Sequence, residues 1–190
     1  MLTMEEIQQY LKAHLDSKRL EHSYGVEMAA KALAQHWGGN VEKCGLAGLL
    51  HDAGKWPEEL VLQECQKRGI PLTTEDLLCP QVIHAYLSKV IAQEIFEVTD
   101  LEVLAAVEHH CLGAQNMCLT EKIVFLADMI EPGRQGAWVK PLRDLAYEDL
   151  DRAMLACYES TIANNLEKGR HVHASVWHYK KKLEENLNGR

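Results

Sequence analysis

The chain has 190 residues, with 20 Lys and Arg against 28 Asp and Glu and a formal net charge of −8. That length suits one compact domain able to remove about 70% of its unfolded surface from water. The acidic balance, with no basic block, excludes a protein that coats nucleic acid nonspecifically, but not a small anionic ligand, because a bound cation can invert the local field.

Met1-Leu2-Thr3-Met4-Glu5-Glu6 has no basic segment ahead of an apolar run, so no signal peptide is expected. No apolar stretch reaches the ~18 residues that span a bilayer. Six cysteines (Cys44, Cys65, Cys79, Cys111, Cys118 and Cys157) form no Cys-x-x-Cys pair. They read as small buried hydrophobes of a reducing compartment, which makes the cytoplasm the expected location. Ten histidines are the compositional oddity.

Thr3-x-x-Glu6 is a capping box, and Ile7, Tyr10, Leu11 and Leu15 follow at helical spacing, which predicts a first helix over about 4–15. Asp16-Ser17 breaks it. The run from Ser17 to Trp37 carries His22, Val26, Ala29 and Leu33 on one stripe and stops at Gly38-Gly39, so His22 faces the core. Asn40 caps a third helix whose small face, Cys44, Ala47, Gly48 and His51, permits close approach of a neighbour. It ends in Leu49-Leu50-His51-Asp52-Ala53-Gly54-Lys55. Adjacent helical residues point about 100° apart, so His51 and Asp52 converge on one site, or straddle two ions, most easily where the helix stops.

Pro57 opens a short helix ending at Gly69, and Thr73-x-x-Asp76 caps a further turn, a stretch that reads as a lid or spacer. From Pro80 the pattern is helical again, with His84, Leu87, Ile91 and Ile95 aligned. Thr99-x-x-Glu102 is expected to cap the next helix, where Val103, Ala106, Val107 and His110 share a stripe, so periodicity chooses His110 over His109. After a loop at Gly113, Leu119 to Ile130 is the most apolar run and holds one carboxylate, Asp128. Pro132-Gly133 ends it and leaves Arg134 just beyond. A long helix over about 144–168 and a final one over about 174–187 complete the chain. No stretch alternates with period two, so the expected fold is all-α, in one domain.

Four imidazoles (His22, His51, His84, His110) and two carboxylates (Asp52, Asp128) thus lie on the inward faces of five successive helices. Burying such groups unpaired is costly, and a shared metal satisfies them all. One such histidine alone is more often a hydrogen-bonded core residue; six coincident groups favour metal. Nitrogen and oxygen donors without thiolate suit iron, manganese or zinc, and six ligands are too many for one closed tetrahedral structural zinc.

The order of these six residues resembles the HD-domain phosphohydrolase superfamily, in its version with extra histidines and a two-metal centre. More closely, Arg19-Leu20-Glu21-His22-Ser23, Leu50 to Lys55, the block Glu121 to Arg134, and Lys168-Gly169-Arg170-His171-Val172-His173 resemble the YqeK family of symmetrical diadenosine tetraphosphate hydrolases. The likeness covers nearly the whole chain. Departures are Ala85 where a glycine is expected, His109 in an expected aromatic place, and His173-Ala174-Ser175-Val176 without the usual Pro and Thr.

The resemblance implies an HD-type helical bundle with a metal-binding core over about 17–135 and C-terminal helices over about 144–187 that close a nucleotide pocket. It implies that His22, His51, Asp52 and Asp128 hold one ion, and that Asp52 bridges to a second held with His84 and His110. The cofactor is then a pair of divalent or mixed-valence ions, iron foremost, with manganese and zinc compatible. His51, Asp52 and Asp128 become the catalytic set, because two cations can share a hydroxide near neutral pH and aim it at phosphorus. Diadenosine tetraphosphate is the implied substrate and ADP the product. Its contacts fall to Arg19, Asp52, Ala53, Gly54, Lys55, Arg134, His171, Val172 and His173. Lys55 and Arg134 are placed to clamp phosphates, and His171 to His173 precede a helix whose N-terminal amides bind anions. By residue type alone, Lys55 and Arg19 read equally as solvated charges, and Trp56 and Trp138 as packing. Two alternatives stand beside this reading. One is another HD phosphohydrolase acting on nucleoside monophosphates or guanosine alarmones; the other is a non-enzymatic sensor of metal and nucleotide. The expected partner is a small nucleotide, with neither nucleic acid nor membrane, and a homodimer is compatible.

Overall fold

Residues 2–189 are described by a computed structural model. Among the described residues there are eleven α-helices, one 3-10 turn and no strand, in a single domain. The helices are α1 (Met4–His14), α2 (Ser17–Trp37), α3 (Val41–Leu50), α4 (Glu58–Lys67), α5 (Thr74–Leu78), α6 (His84–Glu94), α7 (Leu101–His109), α8 (Leu119–Ile130), α9 (Val139–Glu148), α10 (Leu150–Glu167) and α11 (Ala174–Asn188). The 3-10 turn Pro80–Val82 leads into α6. No described helix is long and apolar enough to cross a membrane.

Local chemistry sets most of the boundaries. Thr3 and Glu6 form the reciprocal capping box of α1, and Asp16 and Asn40 accept the amides that open α2 and α3. Gly38 closes α2 with φ of 70°, in the left-handed region that glycine enters without a Cβ penalty.

Two expectations are corrected. Asp100, not Thr99, caps α7, because its carboxylate reaches the amides of both Glu102 and Val103. The long helix over 144–168 is two helices, α9 and α10, separated at Asp149. Asp149 is extended (φ −156°, ψ 108°) and its side chain accepts the Arg152 amide at 3.1 Å. An aspartate gains more as an N-cap than inside a helix, where it competes for backbone donors. The segment over 57–79 is a packed spacer. α4 buries Val61 and Cys65 in the core, and its Arg68 is ion-paired to Glu64 and Glu94.

Two hydrophobic clusters make the core. One gathers Leu33, Leu126, Met154 and Tyr158 from α2, α8 and α10; the other gathers Leu11, Leu50, Leu87, Ile91, Phe96 and Val107 around α1, α3, α6 and α7. α3 and α8 contribute to both and form the shared wall. Close approach of α2 to α3 depends on Gly48, where a Cβ would lie 3.0 Å from the Val26 carbonyl oxygen and 3.2 Å from the Ala30 methyl. That approach sets the His22 ring 5.1 Å, centroid to centroid, from the His51 ring.

Candidate metal centre

The six expected ligands come together from five helices, which are not successive in the chain, since α4 and α5 intervene between α3 and α6. His22 sits on α2, His51 and Asp52 at the end of α3, His84 at the start of α6, His110 just past α7 and Asp128 within α8. Asp52 lies between two sets of donors. Its Oδ1 is 2.9 Å from His84 Nε2 and 3.6 Å from His110 Nε2, while Oδ2 is 3.6 Å from His51 Nε2 and 4.0 Å from His22 Nε2. Asp128 Oδ1 is 3.0 Å from His22 Nε2 and 4.0 Å from His51 Nε2. Each carboxylate oxygen of Asp52 therefore faces one pair of imidazoles.

The ring nitrogens are assigned by their acceptors. His51 Nδ1 donates to the Gly48 carbonyl at 2.7 Å, His84 Nδ1 to the Gln81 carbonyl at 2.9 Å, and His110 Nδ1 to the Val107 carbonyl at 2.7 Å. His22 Nδ1 donates to Glu131 Oε1 at 3.2 Å. All four Nε2 atoms are thereby turned to the centre, 3.2 Å apart for His22 and His51 and 3.1 Å apart for His84 and His110. An oxygen acceptor on one ring nitrogen and a cation on the other is the arrangement metal-bound histidines use. The residues present fit a metal centre.

Electrostatics agree. Burial opposes ionisation of Asp52, yet His51 and the bonds from His110 and His84 hold its carboxyl well below the usual range. Asp128 is held down in the same way, against burial, by His22, His51 and Arg134. Complete burial pushes His51 down to about 4, so it stays neutral. Burial also disfavours charge on His22, but Asp128 and Glu131 outweigh it and raise that imidazole. Nε2 is where such a ring takes up either a proton or a metal ion.

The centre forms one end of a cleft of about 290 Å³. Lys55, His110, Asp128 and residues 170–173, between α10 and α11, are among those that line it. Leu112, Phe125, Val172 and Val176 contribute apolar lining, and Asn164, Asn165 and Arg170 add polar groups. Lys55 Nζ donates to the Gln81 carbonyl at 3.3 Å, above the His84 ring.

Other expected contacts lie differently. Ala53 and Gly54 are buried and do not line the cleft; the Gly54 amide donates to Ser88 Oγ at 2.9 Å, which fastens the turn to α6. Arg19 and Arg134 reach the carboxylates themselves, at 3.3 Å from Asp52 Oδ2 and 2.6 Å from Asp128 Oδ1. His171 Nε2 is 2.9 Å from Glu75 Oε2, which also accepts the Ala174 amide, and His173 Nε2 is 3.4 Å from Asp76 Oδ1. His171 thus ties the C-terminal segment to α5, while the His173 ring lies beside Asp76 with its Nε2 unpaired among the described residues, and both residues still line the cleft.

Three groups escaped the sequence reading. Glu131 carries the acceptor for His22, and its place three residues after Asp128 was the available signal. Arg170 lines the cleft without periodicity to single it out. Cys111, grouped above with the buried apolar cysteines, instead has its sulfur 3.1 Å from His110 Nε2 and 3.4 Å from His84 Nε2. Burial alone would raise its thiol; the two imidazoles pull it down to about 6.

Residues 19–133 match the HD domain. The chain is 33% identical over 167 residues to a symmetrical bis(5'-nucleosyl)-tetraphosphatase of Halalkalibacterium halodurans, covering 87% of this chain and 88% of that protein. Proteins of the same name from Staphylococcus aureus and Bacillus subtilis are 32% and 30% identical, covering 88% and 90% of this chain and 87% and 92% of their own. A crystal structure of a predicted HD superfamily hydrolase involved in NAD metabolism, from Clostridium acetobutylicum, superposes with a TM-score of 0.94 at 35% identity, over 98% of this chain and 99% of that one. Sequence, helical architecture and the His-Asp centre converge, and the chain belongs to the HD-domain family, beside its symmetrical bis(5'-nucleosyl)-tetraphosphatases.

Proposed function

We propose that this protein is a metal-dependent phosphohydrolase that cleaves diadenosine tetraphosphate symmetrically into two ADP. The single observation that carries the reading is the set of four imidazoles, each with Nδ1 tied to an oxygen and Nε2 turned toward Asp52 or Asp128 at the end of a cleft. The names of the relatives supply the substrate class.

In this reading His22, His51 and Asp128 would hold one ion and His84 and His110 a second, with Asp52 between the two sets as a ligand common to both. Bound ions supply an activated water and neutralise charge that grows on phosphate oxygens. Iron is the first candidate, with manganese and zinc beside it. Glu131 keeps His22 in the tautomer that presents Nε2. Lys55 and Arg170, both in the cleft lining, supply cationic donors to the polyphosphate chain. Arg19 and Arg134 balance the ligand carboxylates. The apolar lining from Leu112, Phe125, Val172 and Val176 suits the face of a purine, and the amides of Asn164 and Asn165 in the same cleft offer polar partners to its edge. The helices α10 and α11 thus close the nucleotide pocket, and the free cysteines fit a cytoplasmic setting.

The test is product identification. Metal-loaded protein given diadenosine tetraphosphate is expected to form ADP as the sole nucleotide product. Formation of ATP with AMP overturns symmetrical cleavage, and release of free phosphate from nucleoside monophosphates, with the dinucleotide untouched, overturns the substrate class.

A further inference from the structure

The half-buried thiol of Cys111 stands among the donors of the second ion. Cys44, Cys65, Cys79 and Cys157 are wholly buried within the two apolar clusters. Cys111 instead follows directly on His110 where α7 ends, and the turn carries its sulfur to 3.1 Å from His110 Nε2 and 3.4 Å from His84 Nε2. Those two nitrogens are 3.1 Å from one another, and Asp52 Oδ1 is 2.9 Å from one and 3.6 Å from the other.

Tetrahedral zinc, with bonds of about 2.0–2.1 Å to nitrogen and about 2.3 Å to sulfur, keeps its donors roughly 3.3–3.6 Å apart. The spacings around Cys111 fall close to that range without any rearrangement of the backbone. His84, His110 and Cys111 also form a group whose donor atoms all lie within 4.8 Å of one another, the spread of a single ion's shell.

We propose that Cys111 is a direct ligand of the ion held by His84, His110 and Asp52. The inference rests on the two-ion reading above. The second site then has two nitrogens, one oxygen and one sulfur, whereas the first, at His22, His51, Asp128 and Asp52, has only nitrogen and oxygen. Binding is balanced by loss of the thiol proton: the sulfur lone pair enters the metal bond and one proton leaves to solvent. A thiolate favours zinc or ferrous iron over manganese or magnesium, so the two positions of this centre differ in the ion they select.

Cobalt(II) reports on the ligand directly. Two equivalents added to the apoprotein should give visible ligand-field bands together with a near-ultraviolet sulfur-to-cobalt charge-transfer band. In C111S the charge-transfer band should vanish, and one of the two ions should bind at least about 10-fold more weakly, since even outer partners of metal ligands change affinity about 10–100-fold. C111A serves as the second variant, with helical circular dichroism as the folding control. Peptide-resolved alkylation should find Cys111 reactive in apoprotein and protected after the second equivalent. Two bound cobalt ions with no charge-transfer band, or a band that persists in both variants, overturn the assignment and leave the two-ion reading standing. Failure to bind cobalt, zinc and iron alike overturns both.

Discussion

Glu131→Gln isolates the residue that orients His22. Glu131 is 5% exposed; one oxygen accepts the His22 Nδ1 proton at 3.2 Å and the other accepts the Gly133 amide. Gly25 makes room for it, since a Cβ there would lie 2.5 Å from Glu131 Oε2. Glutamine conserves the volume and can still accept from His22, but it removes the charge and sets an amide NH₂ against the Gly133 N–H. A hydrogen bond to a charged group contributes about 1.5–3 kcal/mol and a neutral one about 0.5–1.5 kcal/mol. The expected loss to His22 is therefore about 1–2 kcal/mol, equivalent to roughly 5–30-fold in affinity for the ion at that site. Competition against a chromogenic chelator measures both ions, and the one at the His22 site should weaken by that factor while the other changes by less than about 2-fold. Turnover should recover as metal is raised. Equal affinities for both ions, within error, would refute the role given to Glu131 and reduce it to a cap for Gly133.

Lys55→Ala removes a cation from the cleft wall and should lower kcat/KM by about 10–100-fold, the worth of a charge-assisted hydrogen bond, with metal content unchanged; an effect below 2-fold demotes Lys55 to a partner of the Gln81 carbonyl. Gly54→Ala places a Cβ 2.9 Å from both Leu87 Cγ and the Ser88 amide nitrogen. It should cost about 1–3 kcal/mol in urea unfolding, and unchanged stability with weakened nucleotide binding would restore Gly54 as a ligand contact. Burial disfavours the Asp76 carboxylate, but the Thr73 hydroxyl and amide and the Tyr86 hydroxyl lower it below its ordinary value of 3.8. A group held lower in the folded state stabilises above its unfolded pKa and loses that contribution as pH falls through the folded one. The Tm advantage of the wild type over Asp76→Asn should accordingly be full at about pH 6 and shrink below about pH 4; parallel Tm curves would show that the carboxylate is not so held.

The helices were legible because caps and periodicity are local. Thr3 with Glu6, Asp16, Asn40 and the glycines after α2 and α10 mark ends that the backbone obeys, since each satisfies or terminates a hydrogen-bond ladder within a few residues. The break at Asp149 was not legible, because a capping aspartate between two amphipathic runs leaves their apolar spacing helical on both sides. Four of the six ligands could be chosen for the same local reason: His22, His84, His110 and Asp128 each share a stripe with core residues, and a buried polar group on such a stripe needs a partner. His110 over His109 was decided by period alone, and His109 indeed turns to Glu121 at 2.6 Å.

What helical period cannot supply is distance between helices. Asp52 offering an oxygen to each imidazole pair depends on how closely α2, α3, α6 and α7 pack, which Gly48 and Gly54 permit but do not announce. The binding of His22 by Glu131, and of His171 to α5, joins residues about a hundred positions apart. Cys111 shows the limit most clearly. In the sequence it is one of six similar small residues, and only the turn past His110 brings its sulfur to two imidazoles. The sequence by itself determined the helices, their inward faces and the chemistry available on them; the tertiary structure decided which of those groups meet, because that depends on interhelical packing summed over the whole core.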